Sequence, residues 1–286
     1  MKYAWIKAQR EFKIQTMCFM LQVSTTAYYD WCKKPKTPRA LENDVLTALI
    51  KTIFEGQRYG CGTRVIKKAL YRQGHQVSRR RIGRLMKQAE LRCKTRKKFK
   101  ATTNSKHNHP VAPNILDRQF TQTKPNHAWV GDITYVWTAE GWLYLATVID
   151  LFSRRVVGWS MSSRMTADLV NDALLSAIWR RKPGKGLLWH TDRGSQYASH
   201  SHRDLLKDYS IVQSMSRKGN CWDNAVAESF FHTLKTGQVN HKQYQTRKET
   251  QQDIFEYIEV FYNRQRLHST NGYWSPVDYE EMQKAV

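Results

Sequence analysis

The sequence predicts an α/β (α+β) protein, a mixed five-stranded sheet with flanking helices, preceded by an all-α basic region. Three observations carry this. From Ala128 onward three strand signals follow one another, and then helix and strand alternate, which describes a mixed sheet covered by helices. The first 91 residues show helical periodicity broken by caps and glycines. The charge is also divided: residues 1–125 hold 28 Lys+Arg against 7 Asp+Glu, and residues 126–286 hold 19 against 17. Of the formal net charge of +23 over 286 residues, +21 therefore lies in the first part. A basic arm on a nearly neutral working domain points to a polyanion such as nucleic acid.

Residues 1–40 read as a small helical unit. Phe12, Met17, Phe19, Met20 and Leu21 suggest one helix, Ser24 caps a second over Thr25–Trp31, and Lys33–Pro38 ends the unit as a proline-broken linker. This is the outline of a helix-turn-helix, and equally of a helical hairpin. Residues 41–91 read as a second helix-turn-helix. One helix covers Glu42–Phe54, and another uses Val65, Ile66, Ala69 and Leu70 and stops at Gly74. After Ser78 as N-cap comes a third helix on Ile82, Leu85 and Met86. Its Arg79, Arg80, Arg81, Arg84 and Lys87 project away from that stripe. The pattern suits a recognition helix reading the major groove, or a basic helix that only holds phosphate. Residues 92–125 lack apolar periodicity and read as a mobile basic linker.

The working domain, 126–246, places strands at 128–137, Trp142–Ile149, Arg155–Ser160, 187–191 and Ile211–Met215. Helices fall at Thr166–Arg180, Ser199–Tyr209 and around Glu228. Residues 247–286 add an amphipathic helix, Arg247–Tyr262, on Ile254, Phe255, Ile258 and Phe261, and a tail packing back on the core. Arg264 and His268 follow that helix; Arg264 is offered toward DNA, and His268 suits a structural hydrogen bond.

Three acids stand out. Asp132 sits mid-strand among Trp129, Val130, Ile133 and Val136, where a carboxylate is costly to bury unless paired or holding a metal. Asp192 closes the apolar run Leu187-Leu188-Trp189-His190. Glu228 lies on a helix beside small residues, with Asp223 as its expected N-cap. Spacing does not select them, because Asp168 to Asp204 and Asp172 to Asp208 share the interval between Asp192 and Glu228; the strand and helix contexts do. Three carboxylates from separate elements can converge on a pair of Mg²⁺ or Mn²⁺ ions, which take oxygen ligands. Asp150 is a rival, at the turn after the second strand.

Five scattered cysteines (Cys18, Cys32, Cys61, Cys93, Cys221) without a Cys-x-x-Cys pair read as reduced thiols. Cys61 and Cys93 with His107 and His109 have the wrong spacing for zinc. No stretch approaches 18 apolar residues, and Lys13 and Gln15 interrupt the first apolar run, so neither a membrane span nor a signal peptide is expected.

GDITY at Asp132, VIDLFSRRVVGWS after it, HTDRGSQY at Asp192, KGNCWDNAVAESFFHTLK at Glu228 and YNRQRLHS near the end resemble one family. It is that of the Asp-Asp-Glu transposases of bacterial two-reading-frame insertion sequences, specifically the second-frame product, whose core is shared with retroviral integrases. The resemblance implies a ribonuclease H-like core and a DNA transposase that cleaves element ends and transfers strands in a metal-dependent reaction. It implies Asp132, Asp192 and Glu228 as catalytic metal ligands for two ions, with Lys235 on the DNA near the scissile end. Asn224, one turn before Glu228, is expected to hold a carboxylate or a phosphate. The expected partners are double-stranded DNA at element ends and target, further copies of the chain, and the first-reading-frame product by fusion or binding; the expected location is cytoplasmic, on the nucleoid. A catalytically inactive DNA-binding regulator, or an integrase or nuclease of other origin, are the alternative readings.

Overall fold

The computed structural model describes residues 2–33, 36–94, 110–218 and 220–284. The expected linker residues 95–109, with His107 and His109, and the side chain of Cys221 lie outside the described residues. The chain divides after Leu49 into two units, 1–49 and 50–286.

In the first unit, α1 (Lys2–Ala8), α2 (Ile14–Met20) and α3 (Thr25–Lys33) enclose a small core of Ile6, Met17, Cys18 and Tyr28. Ser24 caps α3 through the Ala27 amide at 3.3 Å. Of the residues expected to define α2, Met17 is buried, but Phe12, Phe19 and Met20 are exposed. Three short helices leave too little interior for them, and α1, which the periodicity did not suggest, supplies Ile6 instead. The next helix, α4 (Pro38–Gly56), starts four residues earlier than expected. Thr37 caps it through the Ala40 amide at 3.2 Å, and Pro38 has no N–H to leave unpaired at the first position.

The second unit opens with the end of α4, then α5 (Thr63–Arg72) and α6 (Arg79–Gln88). Ile66 and Leu70 of α5 are buried, as are Ile82, Leu85 and Met86 of α6. Ser78 caps α6 through the Arg81 amide at 3.2 Å, as its position before the arginine run predicts.

The sheet contains β1 (Ala128–Thr138), β2 (Gly141–Asp150), β3 (Val156–Ser162), β4 (Leu188–Thr191) and β5 (Val212–Met215), in the order β3-β2-β1-β4-β5. β1, β2 and β3 are antiparallel, and β4 lies parallel to both β1 and β5. β4 meets β1 only from Ala128 to Val130, so β1 runs past it from Gly131 onward. One face packs on α7 (Ala167–Arg181) and α8 (His200–Asp208) around Trp129, Trp189, Leu174 and Ala177. The other packs on α9 (Ala225–Gly237) and α10 (Arg247–Glu256) around Val130, Val136, Phe230, Leu234 and Ile254. This is a ribonuclease H-like arrangement, as the resemblance implies.

Three expectations are corrected, over 110–125, over 247–262 and at Asp223. Residues 110–125 are not a mobile linker over their whole length. Leu116 is 1% exposed within the core, and Ser214 Oγ accepts from the Ile115 and Leu116 amides at 2.9 and 3.2 Å. The helix expected over 247–262 is α-helical only to Glu256 and continues as a π-helical turn, Tyr257–Tyr262. That wider turn buries Tyr257, Ile258, Phe261 and Tyr262 together, whereas Phe255, expected on the core stripe, is 49% exposed. The tail forms α11 (Pro276–Lys284), whose buried Glu280 pairs with Arg155 and Arg181 at 3.0 and 2.7 Å. Asp223 does not cap the Glu228 helix; it is fully buried and gathers Arg118, Arg217 and Asn114.

Candidate active site

The core places Asp132 in β1 at the second residue beyond the contact with β4. The Asp132 residue is half-buried there. The preceding residue has to be glycine: a Cβ on Gly131 would lie 2.2 Å from Cη2 of Trp189, a fully buried indole of β4. Asp192 follows directly where β4 ends. Its Oδ1 accepts from the Gly194 amide at 2.9 Å, which turns the chain away from the sheet, and Arg193 Nε donates to the Ser216 carbonyl at 2.6 Å. Glu228 lies in the first turn of α9 on its exposed side. Asn224 tethers that helix start to the strand: its Nδ2 donates to the Gly131 carbonyl at 3.2 Å.

The charges of Asp192, Glu228 and Lys235 all act on Asp132. Burial and then the charge of Asp192 push the Asp132 carboxyl well above the usual carboxylate range; Glu228 adds to this, and the Ile133 amide and Lys235 oppose it. Partial desolvation also raises Glu228. Lys235 is lowered by desolvation and held up by Asp132, and its Nζ stands 4.9 Å above the Tyr135 ring. Tyr197, fully buried, is raised by burial and then by Asp132 and Asp192. It therefore backs both aspartates, a role that its place in HTDRGSQY did not disclose.

The donor set fits divalent cations. The charges of Asp192 and Glu228 raise the cost of ionising Asp132, a cation relieves that cost, and oxygen is what such ions take. Asn224 Oδ1 adds a buried oxygen with no hydrogen-bond partner among the described residues. Among the described residues no three His, Cys, Asp or Glu side chains are already arranged to hold a metal ion.

The other expected residues are placed differently. Asn224 is buried and its amide nitrogen is taken by Gly131, which makes it a tether of α9 rather than a group facing solvent. On α6, Arg79, Arg80, Arg84 and Lys87 are exposed and Arg81 is half-buried. Arg264 is exposed just after the π turn. His268 caps the following short turn by accepting from the Thr270 amide at 3.3 Å. Asp150 is wholly buried, accepting from the Asn126 and Phe152 amides at 2.8 and 2.9 Å and pairing with Arg181 at 3.3 Å. Its contacts are structural.

Comparison with known proteins agrees with this architecture. An integrase core domain matches residues 122–221, a second integrase core domain matches 228–283, and an HTH-like domain matches 41–99. An uncharacterised 31 kDa protein of insertion element IS600 from Shigella sonnei is 44% identical over 265 residues, 93% of this chain and 97% of that one. The transposase InsF of insertion sequence IS3A from Escherichia coli strain K12 is 41% identical over 288 residues, 98% of each chain. Among solved structures, a simian T-cell lymphotropic virus intasome is 18% identical with a TM-score of 0.48, covering 77% of this chain and 70% of that one. The integrase core, the helix-turn-helix-like domain and the near-complete match to InsF make the chain a DNA transposase, a polynucleotidyl transferase belonging to the IS3 family of insertion-sequence transposases.

Proposed function

We propose that Asp132, Asp192 and Glu228 are the reaction centre, an Asp-Asp-Glu site that holds two Mg²⁺ or Mn²⁺ ions while the chain cleaves the element's ends and joins them to target DNA. The observation that carries this is the strained charge at Asp132, raised by burial and by both other acids with Lys235 opposing. Such a cluster is costly to keep without a cation and becomes favourable with one. Bound divalent ions supply charge neutralisation at the attacking and leaving oxygens of phosphoryl transfer.

The chain's own residues then divide the remaining tasks. Asp132, Asp192 and Glu228 hold the ions. Asn224 keeps the start of α9 on β1, fixing Glu228 relative to Asp132. Lys235, desolvated beside Tyr135, offers a cation to a DNA phosphate near the scissile end. Arg79, Arg80, Arg81, Arg84 and Lys87 bind duplex DNA along α6, and Arg264 adds a further phosphate contact. The working form is an oligomer on DNA, with fusion to or binding of the first-frame product.

The test is a strand-transfer assay on labelled element-end duplex with Mg²⁺ or Mn²⁺. Asp132→Asn, Asp192→Asn and Glu228→Gln should each abolish product while leaving duplex binding intact. A wild-type rate in any of them removes that residue from the centre.

A further inference from the structure

The helix-turn-helix-like domain and the end of α9 share contacts that the proposed chemistry does not use. After α4 the chain turns through two consecutive side-chain-bearing residues in left-handed backbone, Arg58 at φ 51° and Tyr59 at φ 61°. Ordinary residues are disfavoured there, so the surroundings must hold them in place. The turn brings the Arg58 guanidinium 4.5 Å above the Phe261 ring and 5.6 Å above that of Tyr257. From that position it pairs with the Glu256 carboxylate and donates to Gln238 Oε1 at 2.9 Å.

Two neighbours act on the same region. Lys94, past α6, donates to the Gly237 carbonyl at 2.9 Å. Gln57 donates to the Gln265 carbonyl at 2.9 Å and accepts from the Leu267 amide at 3.1 Å. Gly237 is the last residue of α9 and Gln238 its C-cap. Gln238 also donates to Asp253 Oδ1 at 2.6 Å, so the cap is held by α10 on one side and by Arg58 on the other. A helix is stiff over this length, so fixing its last turn fixes the direction in which its first turn presents Glu228.

We infer that Arg58 is a positioning residue that locks the C-terminal end of the Glu228 helix to the helix-turn-helix-like domain, so that bound DNA and this carboxylate keep one relative placement. The inference rests on the proposed role of Glu228. A role in stability alone fits less well. An ion pair with its partner 46% exposed contributes little to folding, and the strained turn serves to aim one fork-shaped side chain at four groups.

The test uses the full chain and element-end duplex, measuring the dissociation constant, the single-turnover strand-transfer rate at saturating DNA, and the melting temperature. Arg58→Ala should lower the saturating rate at least tenfold while the dissociation constant changes less than threefold. Arg58→Lys keeps the charge over the rings but loses the fork, and should recover part of the rate. Glu256→Gln leaves the turn intact and should repeat the loss in weaker form. A saturating rate within twofold of wild type in Arg58→Ala, a wild-type rate in Glu256→Gln, or a loss fully accounted for by a lower folded fraction would overturn the inference. Failure of the carboxylate reading would show separately, as an active Glu228→Gln.

Discussion

Gly131→Ala adds one methyl group at the seam between the fold and the site. The new Cβ would stand 2.2 Å from Trp189 Cη2 and 2.6 Å from Cζ2, where carbons rest at about 3.5 Å, so one side must withdraw by roughly 1.3 Å. Trp189 is poorly placed to do so. It is 1% exposed, its Nε1 donates to His202 Nε2 at 3.0 Å, and its ring meets that of Tyr197 at 6.2 Å. The strand must shift instead, and Asp132 with it. Overpacking of this kind costs about 1–3 kcal/mol, and at roughly 2–4 °C per kcal/mol the melting temperature should fall by several degrees. A displacement of about 1 Å at a reacting group can lower a rate by about a hundredfold, so strand transfer should suffer more than stability. Differential scanning calorimetry and single-turnover strand transfer, with Gly184→Ala as a control where nothing lies within 4 Å of an added Cβ, measure both. A melting temperature within 1 °C of wild type with an unchanged rate would refute the argument that close strand packing sets the position of Asp132.

Leu116→Ala should cost about 2–5 kcal/mol by urea denaturation, because the segment before the integrase core is built into it; a surface-like change below 0.5 kcal/mol would return that segment to the role of linker. The folded-state pKa of Asp132 is raised, so its neutral form stabilises the fold below the unfolded pKa of about 3.9, and that advantage is lost as pH rises through the folded value. Without divalent ions, Asp132→Asn should therefore melt higher than wild type at neutral pH and equal it below pH 4; a lower melting temperature at pH 7 would contradict the sign. On α6, alanine at one of Arg79, Arg80 or Arg81 should narrow the affinity ratio between element-end and unrelated duplex, by about 1–3 kcal/mol for a bidentate guanine contact. Arg84→Ala and Lys87→Ala should weaken both duplexes alike. Parallel losses at all five would show that α6 holds phosphate without reading sequence.

Much of this fold is legible in local chemistry. Ser78, Ser199 and Thr246 each accept from an amide of the helix they precede, and the alternation of the five strands gives their order along the chain. The three acids are legible because a carboxylate inside or at the end of an apolar strand needs a reason. What escapes local reading depends on distant partners. Asp223 has the sequence context of a cap, but its role is set by Arg118, 105 residues earlier. Leu116 carries no periodic pattern, and its burial depends on a serine of β5. Tyr197 and Asn224 gain meaning only from Asp132 and Gly131, which reach them through the sheet. The start of α11 was available in principle, since Ser275 precedes Pro276 and accepts from the Asp278 amide at 3.2 Å.

Asp132, Asp192 and Glu228 are proposed to hold the divalent ions of the reaction together. A Mn²⁺ titration of the full chain, followed through the ion's paramagnetic signal, tests this without requiring turnover. Saturable binding is expected in the wild type, weakened at least tenfold by Asp132→Asn, Asp192→Asn or Glu228→Gln and unchanged by Asp168→Asn on the surface of α7. Equal Mn²⁺ affinity in the wild type and Asp132→Asn would contradict it.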